Sequence, residues 1–214
     1  MNPKNNKPPR RKFTRKVSNL RTAILPLLLE NVFHVTSYSS YEGILKSGYI
    51  FPNGEKRFNL GFSNHENNYG NFKNFICLFD FRNKTKSEIE DGILKCNFLE
   101  GSYLSDHLVF MTMKKELHNS LIYGDEAFEE VRFEKRFVPY VECWSPKPIS
   151  INDIESVIDL SIRRPRIEEG TLEWAITEAN RPKSVKKPNY KKAPGKIKKL
   201  ERLILKTIKN RPNG

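Results

Sequence analysis

The sequence predicts an α+β fold. Three apolar runs, "FICLFDF" at 75–81, "HLVFMTM" at 107–113 and "RFVPYVECW" at 136–144, have the length and aromatic content of buried strands. Helical signals are short and gather toward the N-terminal half. Strands and helices do not alternate as regular βαβ units would, which favours α+β over a parallel winding. With 214 residues, the chain holds one domain of ordinary size plus tails.

Residues 1–16 read as a disordered basic arm. Pro3, Pro8 and Pro9 stand among Asn and Lys, and nothing apolar needs burial before Phe13. The single domain is expected over 17–163. Leu20, Ile24, Leu27 and Leu28 share a helical face, with Pro26 positioned to kink or end the helix. Asn31 to Thr36 reads as a short strand. Ser39, with Glu42 three residues on, reads as a helix N-cap, and Gly48 as a left-handed C-cap. "YIF" makes a short strand and "PNGEK" a turn. In "RFVPYVECW", Pro139 points to an edge or a bulge. "INDIESVIDL" suggests a short helix or turn capped by Asn152. Residues 164–214 read as a Pro-punctuated basic linker and a C-terminal amphipathic helix. Ile197, Leu200, Leu203, Ile204 and Ile208 fall at helical spacing between lysines, a face for the domain, a nucleic acid, a membrane surface or a protein partner.

Charge is the strongest global signal. Thirty-eight Lys and Arg against 25 acidic residues give +13, so DNA or RNA is the expected partner, reached through the basic tails. Cys77, Cys96 and Cys143 form no CxxC pair, and the four histidines lack HExxH spacing, so no metal is expected. Cys77 and Cys143 read as small core residues. No apolar run approaches the roughly 20 residues of a membrane span, and the start lacks a signal core. A cytoplasmic location is expected. Phosphate-cradling glycine loops and the GxSxG elbow are absent. Asp125–Glu126 and Glu129–Glu130 read as a solvated acidic loop.

Three features carry possible chemistry. In "FHVTS", His34 and Thr36 point to one face of a strand and Phe33 and Val35 to the other. On its own, His34 reads as a hydrogen-bonded core or edge histidine rather than a functional one. An Asn-rich loop carrying Tyr69 leads into the strand at 75–81, where an aromatic ring is placed to stack on a planar ligand. Glu142 stands among apolar neighbours in "YVECW". A carboxylate there is paired, solvated at an edge, or shifted in pKa.

Together, "HVTSYSSYEGILKSGYI" and "VECWSPKPISINDIESVI" resemble the two ends of the ADP-ribosyltransferase superfamily, especially its DNA-targeting toxins and, more loosely, the RNA 2′-phosphotransferases. The resemblance implies a split β-sheet with flanking short helices clamping NAD, used as a substrate. His34 would hydrogen-bond a ribose, the backbone of Val35 would hold the carboxamide, and Thr36 would support the dinucleotide. Tyr69 would stack on nicotinamide, with Phe72 and Phe75 as competitors. Glu142 would be catalytic, with Glu134 as its rival. Arg57 and Arg82 are candidates for acceptor contact. Val35 departs from the family's common glycine. The acceptor would be a nucleic acid or a nucleic-acid-associated protein, in a toxin or phage-defence setting. The alternatives are a non-enzymatic nucleic-acid-binding protein, and a metal-independent ribonuclease using His34 or His107. The first reading requires His34 and Glu142 to face one cleft.

Overall fold

The computed structural model describes residues 7–53, 68–96, 98–99, 106–131, 137–138 and 140–163. All belong to a unit ending at Arg163. The C-terminal linker and helix expected at 164–214 lie outside the described residues, as do positions 1–6 of the N-terminal arm.

The fold is α+β. In chain order the elements are β1 (Arg10–Lys16), α1 (Leu20–Leu28), β2 (Val32–Ser37), α2 (Tyr38–Ser47), β3 (Tyr49–Ile50), α3 (Tyr69–Lys73), β4 (Ile76–Asp80) and α4 (Lys86–Cys96). There follow β5 (His107–Met113), α5 (Lys115–His118), β6 (Ile122–Tyr123), α6 (Gly124–Val131), β7 (Glu142–Ser145), β8 (Ile149–Ser150) and β9 (Ile154–Arg163). Seven strands form an open sheet in the order β1-β9-β5-β2-β4-β7-β6, and β3 pairs with β8 in a separate ribbon.

The large sheet is two halves with a narrow junction. β2 pairs with β5 over five rows and β4 with β7 over four. Between β2 and β4 there are two rows, Val32↔Asp80 and Phe33↔Phe79. Beyond Phe33 the strands part, so the described sheet divides into a β1-β9-β5-β2 half and a β4-β7-β6 half.

Directly opposed residues share a face of a sheet, and neighbours along a strand alternate. One face therefore carries Phe33, Val35, Phe79, Phe110, Ile158 and Leu160. It packs against Leu20, Ile24 and Leu28 of α1, Ile89 and Ile93 of α4, and Phe98. The other face carries Val32, His34, Leu78, Val109, Met111 and Cys143. It is covered by Tyr41 and Ile44 of α2 and by Ile50 and Ile149 of the small ribbon.

Several expectations change. Residues 10–16 are not a disordered arm but an edge strand, pairing in parallel with β9 from Arg10↔Val157 to Lys16↔Arg163. Phe13 packs on the core, and Arg10 is tied to Asp159. The segment 154–163 is a ten-residue strand, preceded by one 3₁₀ turn at Ile151–Asp153 capped by Ser150 rather than Asn152. Pairing with β5 on one side and β1 on the other fixes it as a strand, with Val157 to Leu160 all buried. α1 runs through Pro26 but stops two residues later. α2 starts at Tyr38, because Ser37 rather than Ser39 accepts from the Ser40 N–H; its end at Gly48 has φ +77, as the sequence predicts. β7 spans only Glu142–Ser145. Asp125 and Glu126 are exposed, but on the first turn of helix α6 and not in a loop. The described helices do gather toward the N-terminal half, α1 to α4, but α5 and α6 lie beyond it.

Two glycines set how closely helices meet the Phe33 face. A Cβ on Gly70 of α3 would lie 2.3 Å from Cys77 Sγ and 2.9 Å from Trp144 Cδ1. A Cβ on Gly92 of α4 would lie 2.6 Å from Val141 Cγ2. Gly70→Ala should therefore lower stability by about 1–3 kcal/mol through overpacking, against the gain of roughly 0.5–1 kcal/mol that Gly→Ala ordinarily brings within a helix. Urea unfolding measures the difference, and a neutral or stabilising result would show that α3 is not seated as described.

Candidate active site around Glu142

Glu142 opens β7 opposite Phe79, which itself opposes Phe33. The three side chains form one row across the junction of the sheet. Glu142 is only 8% exposed. Its Oε1 lies 3.7 Å from the Cys96 Sγ of α4, within reach of a thiol donor, and its buried Oε2 has no partner. Burial raises its pKa to about 7, partly offset by the Cys96 thiol and the main chain of Val138. The carboxylate in turn helps push the Cys77 thiol up to about 12, with burial the larger cause. The alternative of an edge glutamate facing water does not hold, since burial of the side chain removes it from solvent.

His34 is placed differently. It lies one residue past the last β2–β4 row, where the strands part. Its Nδ1–H donates to the carbonyl of Cys77 at 2.8 Å, bridging the gap between the halves. Burial lowers its pKa, so the ring is neutral at pH 7. By register His34, half-buried, stands on the face opposite Glu142, together with the buried Thr36. The expectation that His34 and Glu142 look into one cleft is not met. The cause is parity: Phe33, not His34, shares a row with Glu142. Val35 falls on the Glu142 face, packed against the phenylalanine-rich core.

Tyr69 is also corrected. It is 1% exposed, with its ring 4.7 Å from Trp144, 5.9 Å from Phe137 and 6.2 Å from Phe75. With almost none of it exposed, the ring is part of the core and not a stacking platform. Of its rivals, Phe75 packs with it, while Phe72 is 55% exposed. Glu134 and Arg57 lie outside the described residues. Arg82 is engaged: it forms two hydrogen bonds of 2.9 Å to Asp80, donates to Tyr123 Oη at 3.0 Å, and reaches His118 Nδ1 at 2.7 Å. Burial, then the Arg82 charge, lower the pKa of His118.

A further cluster lies on the His34 face. Asp159 of β9 accepts from Arg10 Nε at 2.8 Å and also contacts His107 Nε2. Tyr38 stacks on His107 with centroids 4.1 Å apart, and the Arg10 guanidinium sits 5.2 Å from the Tyr38 centroid. His107 thus has a buried carboxylate partner, which His34 lacks.

Among the described residues no group of His, Cys, Asp and Glu is arranged to hold a metal ion, and no helix is long and apolar enough to cross a membrane. Comparison with protein-family models, curated proteins and solved structures finds no match.

The contacts of Cys96 with Glu142 and of Gly92 with Val141 escaped the sequence reading because α4 was not recognised. Its signal was present: Thr85 and Glu88 form a reciprocal capping box, with Glu88 Oε2 accepting from the Thr85 N–H at 2.7 Å and Thr85 Oγ1 from the Glu88 N–H at 3.3 Å.

The raised pKa of Glu142 makes a stability prediction. The folded state binds the proton more tightly than the unfolded state, so the group's contribution is most favourable below the unfolded value near 4.5 and is lost as pH rises through about 7. Glu142→Gln removes this dependence. The variant should gain on the wild type by about 2–3 kcal/mol between pH 4.5 and pH 8. Denaturant unfolding at the two pH values checks it; a constant difference would mean that Glu142 is not buried in the folded chain.

Proposed function

We propose that the chain is an NAD-dependent ADP-ribosyltransferase-like enzyme with Glu142 as its reacting carboxylate, acting on a nucleic acid or a nucleic-acid-associated protein. The observation that carries this reading is the buried Glu142 with one unpartnered oxygen, set in the row where the sheet splits. Rupture of the bond from ribose to nicotinamide sends the electron pair to nicotinamide and leaves positive charge at the anomeric carbon. A fixed carboxylate in a water-poor site is the group that best meets that charge. Its unpartnered oxygen is the acceptor left for the ribose 2′-hydroxyl, which must reach it through a site closed to solvent in this structure. The acceptor's nucleophile then attacks the anomeric carbon and loses its proton to water. In this reading His34 pins the split, and Val35, on the Glu142 face, lines its margin. A split sheet is what the resemblance implies of the fold, and the two-row junction supports that part too. The opposed faces of His34 and Glu142 count against a shared nucleotide site, so His34 is not assigned as a direct ligand.

Incubating the full chain with NAD labelled in its adenylate half, together with DNA, RNA and cell lysate, tests the proposal. Label transfer should occur, fall at least 100-fold in Glu142→Gln, survive in Glu134→Gln, and rise with pH through about 7 as the carboxylate ionises. Absence of transfer to every acceptor would sink it.

A second reading is supported by β1. Its exposed Arg11, Lys12 and Lys16 lie on the outer edge strand of the sheet, a strip suited to phosphate contact without catalysis. The same charges also guard an open edge against strand addition. Replacing the three by Gln should reduce the salt dependence of DNA or RNA binding by about one unit of slope for each phosphate left without its cation, while an unchanged slope would assign β1 to edge protection alone.

A further inference from the structure

Gly92 and Cys96 are four residues apart on α4, and so lie one above the other on the same side of the helix. Gly92 meets Val141, and Cys96 meets Glu142, the next residue along the chain. The missing side chain at Gly92 brings α4 down onto the start of β7, and Cys96 arrives over the carboxylate as a result. Cys96 is partly buried, and burial together with the Glu142 charge pushes its pKa well above the usual thiol range. Its thiol therefore keeps its proton and remains a donor. The other titratable groups coupled to this pair are the thiols of Cys77 and Cys143 and the ammonium of Lys95. Among the described residues no lysine, arginine or histidine pairs with Glu142, so Cys96 is the side-chain donor it has.

We propose that Cys96 is the positioning residue of the Glu142 carboxylate: α4, seated by Gly92, directs the Cys96 S–H at Oε1 and leaves the buried Oε2 as the oxygen without a partner. This rests on the reading of Glu142 as the reacting group. The thiol holds the side chain by one oxygen and favours its ionised form. It does so without the cation that would neutralise the charge the reaction needs.

The test is a direct titration of the Glu142 carboxyl by carbon NMR in the full chain labelled with ¹³C at glutamate Cδ, with Glu142→Gln identifying the signal. Wild type is compared with Cys96→Ser, Cys96→Val and Cys96→Ala. Removing the donor should raise the midpoint by about half a pH unit, a threefold change in proton affinity, and serine should restore it. Valine keeps the bulk near that of the thiol, so the Ser and Val pair decides the matter if the Ala variant does not fold. Equal midpoints in Ser and Val variants overturn the proposal, as does a shift that serine fails to reverse. If the midpoints move as expected but no variant, wild type included, transfers label from NAD, the ADP-ribosyltransferase reading fails while the role of Cys96 stands. If transfer occurs, its acid limb must move with the midpoint.

Discussion

The junction between β2 and β4 is the constraint on which the rest of the sheet depends. Two rows join its halves. Such a short ladder supplies few backbone hydrogen bonds, so side chains must carry the contact. They do so through a cluster of phenylalanines. Phe33 stands 5.5 Å from Phe79, 5.0 Å from Phe81 and 5.8 Å from Phe98, and Phe79 stands 4.8 Å from Phe98. Each buried Phe contributes about 1.5–3 kcal/mol, and each favourable ring pair about 0.5–1.5 kcal/mol more. Glu142 belongs to the same row. The carboxylate is therefore fixed by the element that ties the halves together, which makes its position rigid and its desolvation unavoidable.

Much of the fold was legible because it is local. Continuous apolar runs marked β4 and β5, and Gly48 marked the end of α2, since only a residue tolerant of positive φ fits there. The burial of Glu142 was legible as a question from its neighbours. What failed was long-range. Alternation tells which residues of one strand share a face, but not which of those faces meets a given face of another strand. The relation of His34 to Glu142 passes through the β2–β4 and β4–β7 registers, and no motif encodes either. Tyr69 failed for a similar reason. Gly70, beside it, lets α3 sink onto Trp144 and carries the tyrosine into the core. β9 was misread because a 3₁₀ turn begins it and its strand partners are remote in sequence.

β1 shows how far context overrides composition. "RRKFTRK" offers one aromatic and five cations, a composition that does not order itself. It becomes a strand because β9 supplies a parallel edge and Asp159 supplies a counter-charge for Arg10.

That pairing also dictates an order of assembly. Arg10 and Asp159 are 149 positions apart, and parallel contacts at such separation are costly in loop-closure entropy and slow to form. On the ribosome β1 emerges first, yet its template is the last strand of the described domain. Until β9 has left the exit tunnel, the basic strand has nothing to pair with. The first-made of the described strands is thus the last to join the sheet, and a chain stopped short of β9 would leave the β5 edge bare and β1 unpaired.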